Sequence, residues 1–402
     1  MLTSLALIFL VGLSLATVCQ KIRLPRLIGM LVTGIMLGPY VLDWLDPSIL
    51  GISAELRQMA LVIILIKAGL SLNYDDLKTV GRPAVLLSFL PALFEILAFL
   101  LLAPAVMGVS FAEAAIMGAV LGAVSPAVVV PRMVQLMEEE YGTEKRVPQM
   151  ILAGASLDDV FVIVLFTTFI RMAQGGSADL MDFVNIPLSI GSGILLGAAA
   201  GFFLAWFFET SYSRKNLVRN SMKVIIVLGT AFLLLAAEDW LEGIFAVSGL
   251  LAIMSMAMVL AMRCVPEVTG RLREKYGKLW LAAEVILFVL VGAAVDIRYT
   301  FEAGAGALLM ILIGLAFRSF GVWICMAGTK LNRRERLYCV IAYLPKATVQ
   351  AAIGSVPLSL GLPCGKLVLS VAVLAILLTA PLGAAGMDLS YRKLLSKNSA
   401  PF

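Results

Sequence analysis

The chain has 402 residues, of which 61% are hydrophobic and 14% charged, and its mean hydropathy is +1.00. A soluble domain carries roughly 45–50% apolar and about 25% charged residues, so this chain lacks the charge to clothe a water-facing exterior. Its net charge of +5 lies in short loops between apolar stretches, with no basic patch interleaved with exposed aromatics, which argues against a nucleic-acid partner.

In chain order, the first apolar stretch is followed, not preceded, by its basic residues Lys21 and Arg23. That is the order of a first membrane span with its N-terminus outside, not of a secretory leader. Stretches near the ~20 residues a span needs predict thirteen transmembrane helices. They fall at about 3–19, 27–43, 55–71, 83–107, 112–135, 149–173, 187–208, 221–238, 244–263, 278–295, 304–328, 336–360 and 364–386.

With the N-terminus outside, the cytoplasmic side collects 24 of the 31 basic residues. These are Lys21, Arg23, Arg26, Lys78, Arg82, Arg132, Lys145, Arg146, Arg214, Lys215, Arg219, Lys223, Arg263, Arg271, Arg273, Lys275, Lys278, Lys330, Arg333, Arg334, Arg336, Arg392, Lys393 and Lys397. The opposite side holds Arg57, Arg171, Arg298 and Lys366, while Lys67, Arg318 and Lys346 lie within spans. The positive-inside rule then supports an odd number of spans and a cytoplasmic C-terminus. The five cysteines show neither CxxC nor disulfide-framework spacing and read as small core residues. Histidine is absent, so a pH response must come from carboxylates, lysines or termini.

The two halves resemble each other. Gly69 and Gly292 each end an apolar run and lie 223 residues apart, and the same offset carries Glu95, the acid of span four, onto Arg318, the base of span eleven. Span five, broken at Pro126, then matches span twelve, broken at Pro345. Span n pairs with span n+7, and because seven is odd the halves are inverted, a pattern of secondary transporters with interrupted helices. Span seven is the unpaired linker, and its Gly193, Gly197 and Gly201 read as a packing face.

Asp158 and Asp159 sit in QMILAGASLDDVFVIVLFTTFI. One charge at a helix centre costs on the order of 2.5–3.5 kcal/mol on insertion scales, so two adjacent acids must pair, protonate or hold a cation. Glu95 and Arg318 predict a buried ion pair that holds the bundle. Lys346 follows Pro345, and proline frees a carbonyl in the preceding turn, which a membrane tolerates only where backbone is buried or lines a cavity. Pro126, with Ser125 before it and Pro131 after it, marks the corresponding break. Three acids thus face two bases. If Glu95 pairs with Arg318 and Asp158 with Lys346, Asp159 is left to hold a proton or a cation, and competition between the two is the chemistry of antiport. Glu284 reads equally as a cavity-wall acid or a snorkelling residue, Lys67 as a snorkelling lysine, and Glu138, Glu139 and Glu140 as a solvated loop.

Four segments resemble the cation/proton antiporter superfamily: LPRLIGMLVTGIMLGP starting at Leu24, GAVSPAVVVP at 122–131, GASLDDV at 154–160 and LPKATVQAAIG at 344–354. SPAVVVP and the last two are most similar to the NHA branch, the animal-type sodium/proton antiporters and their bacterial relatives. The resemblance implies an NhaA-like antiporter fold with crossing discontinuous helices. It implies a homodimer with a scaffold at 1–78 and 219–300, a mobile core at 79–174 and 304–388, and a linker helix at 187–208. It casts Asp159 as cation and proton carrier, Asp158 as its neighbour, Lys346 as the lysine facing that aspartate, and Glu95 with Arg318 as the branch's ion pair. Ser125 and the unwound backbone near it complete cation coordination. Electrogenic relatives with paired aspartates usually carry lysine where this chain has Arg318, and arginine does not release its proton in this role. Lys346 remains the base able to titrate.

The expectation is therefore an all-α polytopic membrane protein of thirteen helices in two inverted repeats, placed in a bacterial-type inner membrane. It exchanges Na⁺ or Li⁺ for H⁺ by an elevator movement, with membrane lipid, small cations and a second copy as its partners and no cofactor. The alternatives are a K⁺/H⁺ antiporter or K⁺ efflux system of the same fold, or a cation channel. An intramembrane aspartyl protease would need a GxGD motif, which is absent, so no enzyme is expected.

Overall fold

The computed structural model describes residues 1–22, 24–71, 81–175, 180–213, 219–241, 247–296 and 304–397. Arg23, Lys78, Arg214, Lys215 and Arg298 of the orientation argument lie outside them, as do the boundaries expected at 78–79 and 300 and the span start at 244. Among the described residues all regular secondary structure is helical, apart from one isolated bridge between Tyr141 and Lys397.

The helices are α1 (Leu2–Lys21), α2 (Arg26–Leu37), α3 (Pro47–Gly51), α4 (Ser53–Ser71), α5 (Arg82–Leu87), α6 (Leu90–Met107), α7 (Phe111–Gly122), α8 (Pro126–Glu138) and α9 (Val147–Gly175). They continue with α10 (Leu180–Ser213), α11 (Asn220–Leu241), α12 (Gly249–Arg263), α13 (Pro266–Ala293), α14 (Gly304–Cys325), α15 (Arg333–Ala342), α16 (Thr348–Gly354), α17 (Val356–Ser359) and α18 (Gly365–Leu394). Eight segments among the described residues are long and apolar enough to cross a membrane: Leu2–Lys21, Arg82–Met107, Phe111–Glu138, Gly191–Thr210, Ser221–Glu238, Pro266–Ala293, Gly304–Cys325 and Gly365–Leu394. Arg26–Leu37, Phe161–Gln174 and Gly249–Arg263 are shorter apolar helices.

The chain forms two compact units, one of Met1–Ala54, Asn73–Phe169 and Val285–Phe402, the other of Glu55–Leu72 and Ile170–Glu284. In the first, local chemistry sets the helix ends. Ser110 and Glu113 close a capping box on α7, with Ser110 N–H donating to Glu113 Oε2 at 2.8 Å. Asn332 and Glu335 do the same on α15, where Glu335 N–H donates to Asn332 Oδ1 at 2.9 Å. Such a cap is worth about 1 kcal/mol. Gly108, at φ 68°, takes the left-handed turn that ends α6.

Helices in this unit approach closely where glycine leaves room. A Cβ on Gly34 would strike the Val289 carbonyl, and one on Gly292 the Leu31 carbonyl, so α2 lies directly on the last turns of α13. Gly314 and Gly321 of α14 bring that helix against Phe99 and Pro91 of α6, with Phe94 and Phe320 edge to face at 5.5 Å.

In the second unit, α10 lies on α12 through Gly193, Gly197 and Gly201. A Cβ on each would meet the carbonyl oxygen of Ser248, Ala252 or Met256 in turn, a spacing of four on both helices. Gly69 of α4 meets the same helix at Met254 and Ala257. Small residues are what allow helix backbones this close in lipid. Lys67 lies over the Trp280 ring at 5.7 Å in this unit. All five cysteines are free and buried.

Candidate ion site

Two helix breaks in the first unit build the site. The first separates α7 from α8 at Ala123–Ser125, and Pro126 opens α8 at a position where a proline's missing N–H costs nothing. Pro131 was expected at this break but lies inside α8. Its ring fits a helical φ, and the one hydrogen bond it removes would have gone to Ala127, an exposed residue near the helix start. The second break runs from Tyr343 to Ala347 between α15 and α16 and contains Pro345 and Lys346. The breaks touch, since Ser125 N–H donates to the Pro345 carbonyl at 2.8 Å.

A buried break exposes backbone groups that must find partners. At the end of α7 they do, each from a side chain far off in sequence. Lys346 Nζ donates to the Leu121 carbonyl. Arg318 Nη1 donates to the Gly122 carbonyl. Gln350 Nε2 donates to the Ala123 carbonyl at 2.8 Å, and Val124 N–H donates to Asp158 Oδ2 at 2.7 Å. At the second break, Arg318 Nε donates to the Tyr343 carbonyl at 2.7 Å, Lys346 N–H to Thr379 Oγ1 at 2.9 Å, and Ala347 N–H to Gln350 Oε1 at 2.7 Å.

The structure brings Glu95, Asp158, Arg318 and Lys346 into one buried chain of charge. Arg318 reaches Glu95 through Nη1 at 3.0 Å and Asp158 through Nη2 at 3.0 Å. Lys346 reaches Glu95 at 2.6 Å. The expected pairing of Asp158 with Lys346 is thus corrected. Asp158 belongs to Arg318, and Lys346 shares Glu95 with that same arginine. The cause is the guanidinium fork, which spans two carboxylates, while the ammonium is drawn to Glu95 and the Leu121 carbonyl. All four side chains are at most 1% exposed.

Asp159 stands apart. It is 6% exposed, its Oδ1 is buried without a hydrogen-bond partner, and no ion pair to it is found among the described residues. Asp158 Oδ1 and Ser125 Oγ are likewise buried without partners. The Leu121, Gly122 and Ala123 carbonyls, by contrast, each already accept a protein donor. Asp159 Oδ1, Asp158 Oδ1 and Ser125 Oγ are thus side-chain oxygens at this break with no protein donor, and a carbonyl with one donor keeps a second lone pair. Among the described residues no group of three or more His, Cys, Asp or Glu side chains could hold a metal ion. Gln350, Thr379 and Tyr343 went unnoticed in the sequence. The available signal was polarity in a buried stretch, most visible at Gln350 three positions after the break.

The first unit also fastens α8 at its far end. Arg132 clasps Asp388 of α18 with two bonds of 2.9 and 3.0 Å, and Tyr391 donates to Glu139 Oε2 at 3.1 Å. Gly142 N–H donates to the Ser396 carbonyl at 2.8 Å, and the Tyr141 and Tyr391 rings meet edge on at 5.0 Å. Glu139, expected in a solvated loop, is held below the usual carboxylate range by hydrogen bonds from Gln135 and then Tyr391. Lys145 grips both oxygens of buried Glu335 at 3.0 Å, joining the loop before α9 to the start of α15.

A helical membrane protein that gathers a chain of buried charge where two broken helices meet has the build of an ion transporter. Comparison with known proteins agrees: the family described as "Sodium/hydrogen exchanger, transmembrane" matches residues 5–386. Sodium/hydrogen exchanger 9B2 of Mus musculus is 34% identical over 395 residues, covering 93% of this chain and 69% of its own. Sodium/hydrogen exchanger 9B1 of Homo sapiens is 30% identical over 390 residues, covering 94% and 74%. Among solved structures, the sodium proton antiporter MjNhaP1 of Methanocaldococcus jannaschii at pH 8 superposes with a TM-score of 0.84 at 21% identity, over 98% of both chains. The chain belongs to the sodium/hydrogen exchanger family, within the cation/proton antiporter superfamily, and is a multi-pass membrane protein with that antiporter's fold.

Proposed function

We propose that this protein exchanges Na⁺ or Li⁺ for H⁺, with the two competing for the Asp159 carboxylate. The observation that carries this reading is the charge count. Glu95, Asp158, Arg318 and Lys346 neutralise one another, whereas Asp159 adds a negative charge with no partner among the described residues. An isolated charge in a medium of low dielectric is costly. A proton or a monovalent cation on Asp159 removes that cost equally well, so either loaded form can cross and the empty form is held back. That asymmetry makes the exchange obligatory. Asp159, Asp158 and Ser125 supply the cation's side-chain oxygens, and water completes its shell.

The same reading makes the crossing an elevator movement of a core (79–174 and 304–388) against a scaffold (1–78 and 219–300), joined by the linker helix at 187–208. Thirteen spans in two inverted repeats accord with several contacts. Gly292 meets Leu31 and Gly34, while Gly69 meets Met254 and Ala257, the same contact moved by 223 residues with the partners exchanged. Glu95 and Arg318 are mates under the same offset and form an ion pair. Both broken spans start with a capping box. The protein works as a homodimer in an inner membrane with its C-terminus cytoplasmic, as the loop charges favour.

Reconstitution in proteoliposomes tests this directly, following lumenal pH after addition of Na⁺, Li⁺ or K⁺. Wild type should move protons on Na⁺ or Li⁺ addition, and Asp159→Asn should not. Exchange that survives Asp159→Asn would falsify the assignment.

A further inference from the structure

Gln350 holds both breaks at once. It is fully buried, as are Ala123 and Ala347, the residues it joins. Its Oε1 accepts from Ala347 N–H at 2.7 Å, a local bond three residues back that caps the start of α16. Its Nε2 donates to the Ala123 carbonyl at 2.8 Å, a bond spanning 227 residues that caps the end of α7. One side chain thus closes the N-terminal end of one half-helix and the C-terminal end of another. Ala123 is flanked by Gly122, whose carbonyl takes Arg318, and by Val124, whose N–H holds Asp158. Two residues further on is Ser125.

We propose that Gln350 is a positioning residue for ion exchange: it pins the α7 and α16 ends across the crossing and so fixes where Ser125 and Asp158 stand relative to Asp159. It acts through Ala123 and Ala347 and does not touch the ion. The proposal rests on the exchange reading above.

The chemistry separates this role from plain helix capping. A residue three positions into a helix caps it equally well as Glu or Gln, because only an acceptor is needed. The bond to Ala123 needs a donor, which ionised Glu lacks. Gln350→Glu therefore keeps the cap and removes the staple, setting an acceptor against a carbonyl. Once protonated, the carboxyl regains a donor. The charged side chains gathered at this crossing are Glu95, Asp158, Asp159, Arg318 and Lys346; the packed elements also carry Glu113 on α7 and Lys366, Asp388, Arg392 and Lys393 on α18, and all are unchanged in the variant.

The test is Na⁺-driven proton exchange in proteoliposomes across a pH series, with wild type, Asp159→Asn, Gln350→Glu and Gln350→Met. Gln350→Glu should raise the apparent KM for Na⁺ about tenfold at alkaline pH, a loss on the scale of one buried hydrogen bond. Its KM should return towards the wild-type value at the same pH as the medium is acidified. Gln350→Met should stay raised at every pH. A Gln350→Glu protein that matches wild type at a pH where its carboxylate infrared band shows it ionised overturns the proposal whether or not Gln350→Met folds, and so does a folded Gln350→Met with the wild-type KM at every pH. Wild-type exchange with an ionised but unaltered Gln350→Glu sinks this proposal alone. A wild-type chain that exchanges nothing sinks the functional reading as well.

Discussion

The α10–α12 contact in one unit and the α7–α16 crossing in the other solve the same problem by opposite means. At the first, Gly193, Gly197 and Gly201 bring unbroken backbone onto the Ser248, Ala252 and Met256 carbonyls, with no charge at the glycines. At the second, the helices are broken and seven of the freed backbone groups named above are met by side chains, two each by Arg318 and Gln350 and one each by Lys346, Asp158 and Thr379. The first contact depends on volume and is indifferent to protons and ions. The second depends on charge, and its arithmetic leaves one carboxylate over. A bundle that needed only rigidity would repeat the first solution. Under the exchange reading proposed above, the second stands where the ion binds.

Substitutions should separate the two. The largest effect is expected at Arg318, whose guanidinium serves Glu95, Asp158 and the Gly122 and Tyr343 carbonyls. Removing one member of a buried ion pair costs about 3–5 kcal/mol, so Arg318→Met should lose at least that in unfolding experiments and should abolish exchange. A smaller loss is expected at Gly197→Ala, where the added methyl meets the Ala252 carbonyl. Overpacking of this kind costs about 1–3 kcal/mol. Thermal unfolding should register it while the apparent KM for Na⁺ stays at the wild-type value. A changed KM there would blur the division between the two regions.

The smallest effect concerns pH at the α8 clasp. Glu139 is held below its ordinary value of 4.5 by Gln135 and Tyr391. A depressed carboxyl contributes stability that is complete above its unfolded-state value and is lost as pH falls through the folded one. Amide exchange at Gly142, whose N–H is bonded to Ser396, should therefore stay slow above about pH 4.5 and quicken below it. Protection that persists to lower pH would remove Glu139 from the clasp.

Much of this was legible in the sequence, for reasons that differ by residue. Glu95, Asp158, Asp159, Arg318 and Lys346 stood out because a charge within an apolar stretch requires an explanation. Pro126 and Pro345 marked the breaks because proline removes a donor. Glycines spaced by four foretold the α10 contact. The pairing within the cluster was hidden, because the partner of Lys346 depends on how the breaks cross and not on spacing. Pro131 misled for the opposite reason: proline breaks a helix only where the lost bond matters, and near the start of α8 it does not. Gln350 offered only the signal of a polar residue in a buried stretch, because its distant partner is a backbone carbonyl and no pattern of side chains reveals that.

The central claim is that proton and cation share one carboxylate, and the wild-type protein can answer it without mutation. In proteoliposomes, the apparent KM for Na⁺ should rise as pH falls, approaching about tenfold per pH unit on the acid limb as single-site linkage requires, while the maximal rate at saturating Na⁺ holds constant. A maximal rate that falls with acid while KM stays fixed would place the proton on a different group and contradict the account.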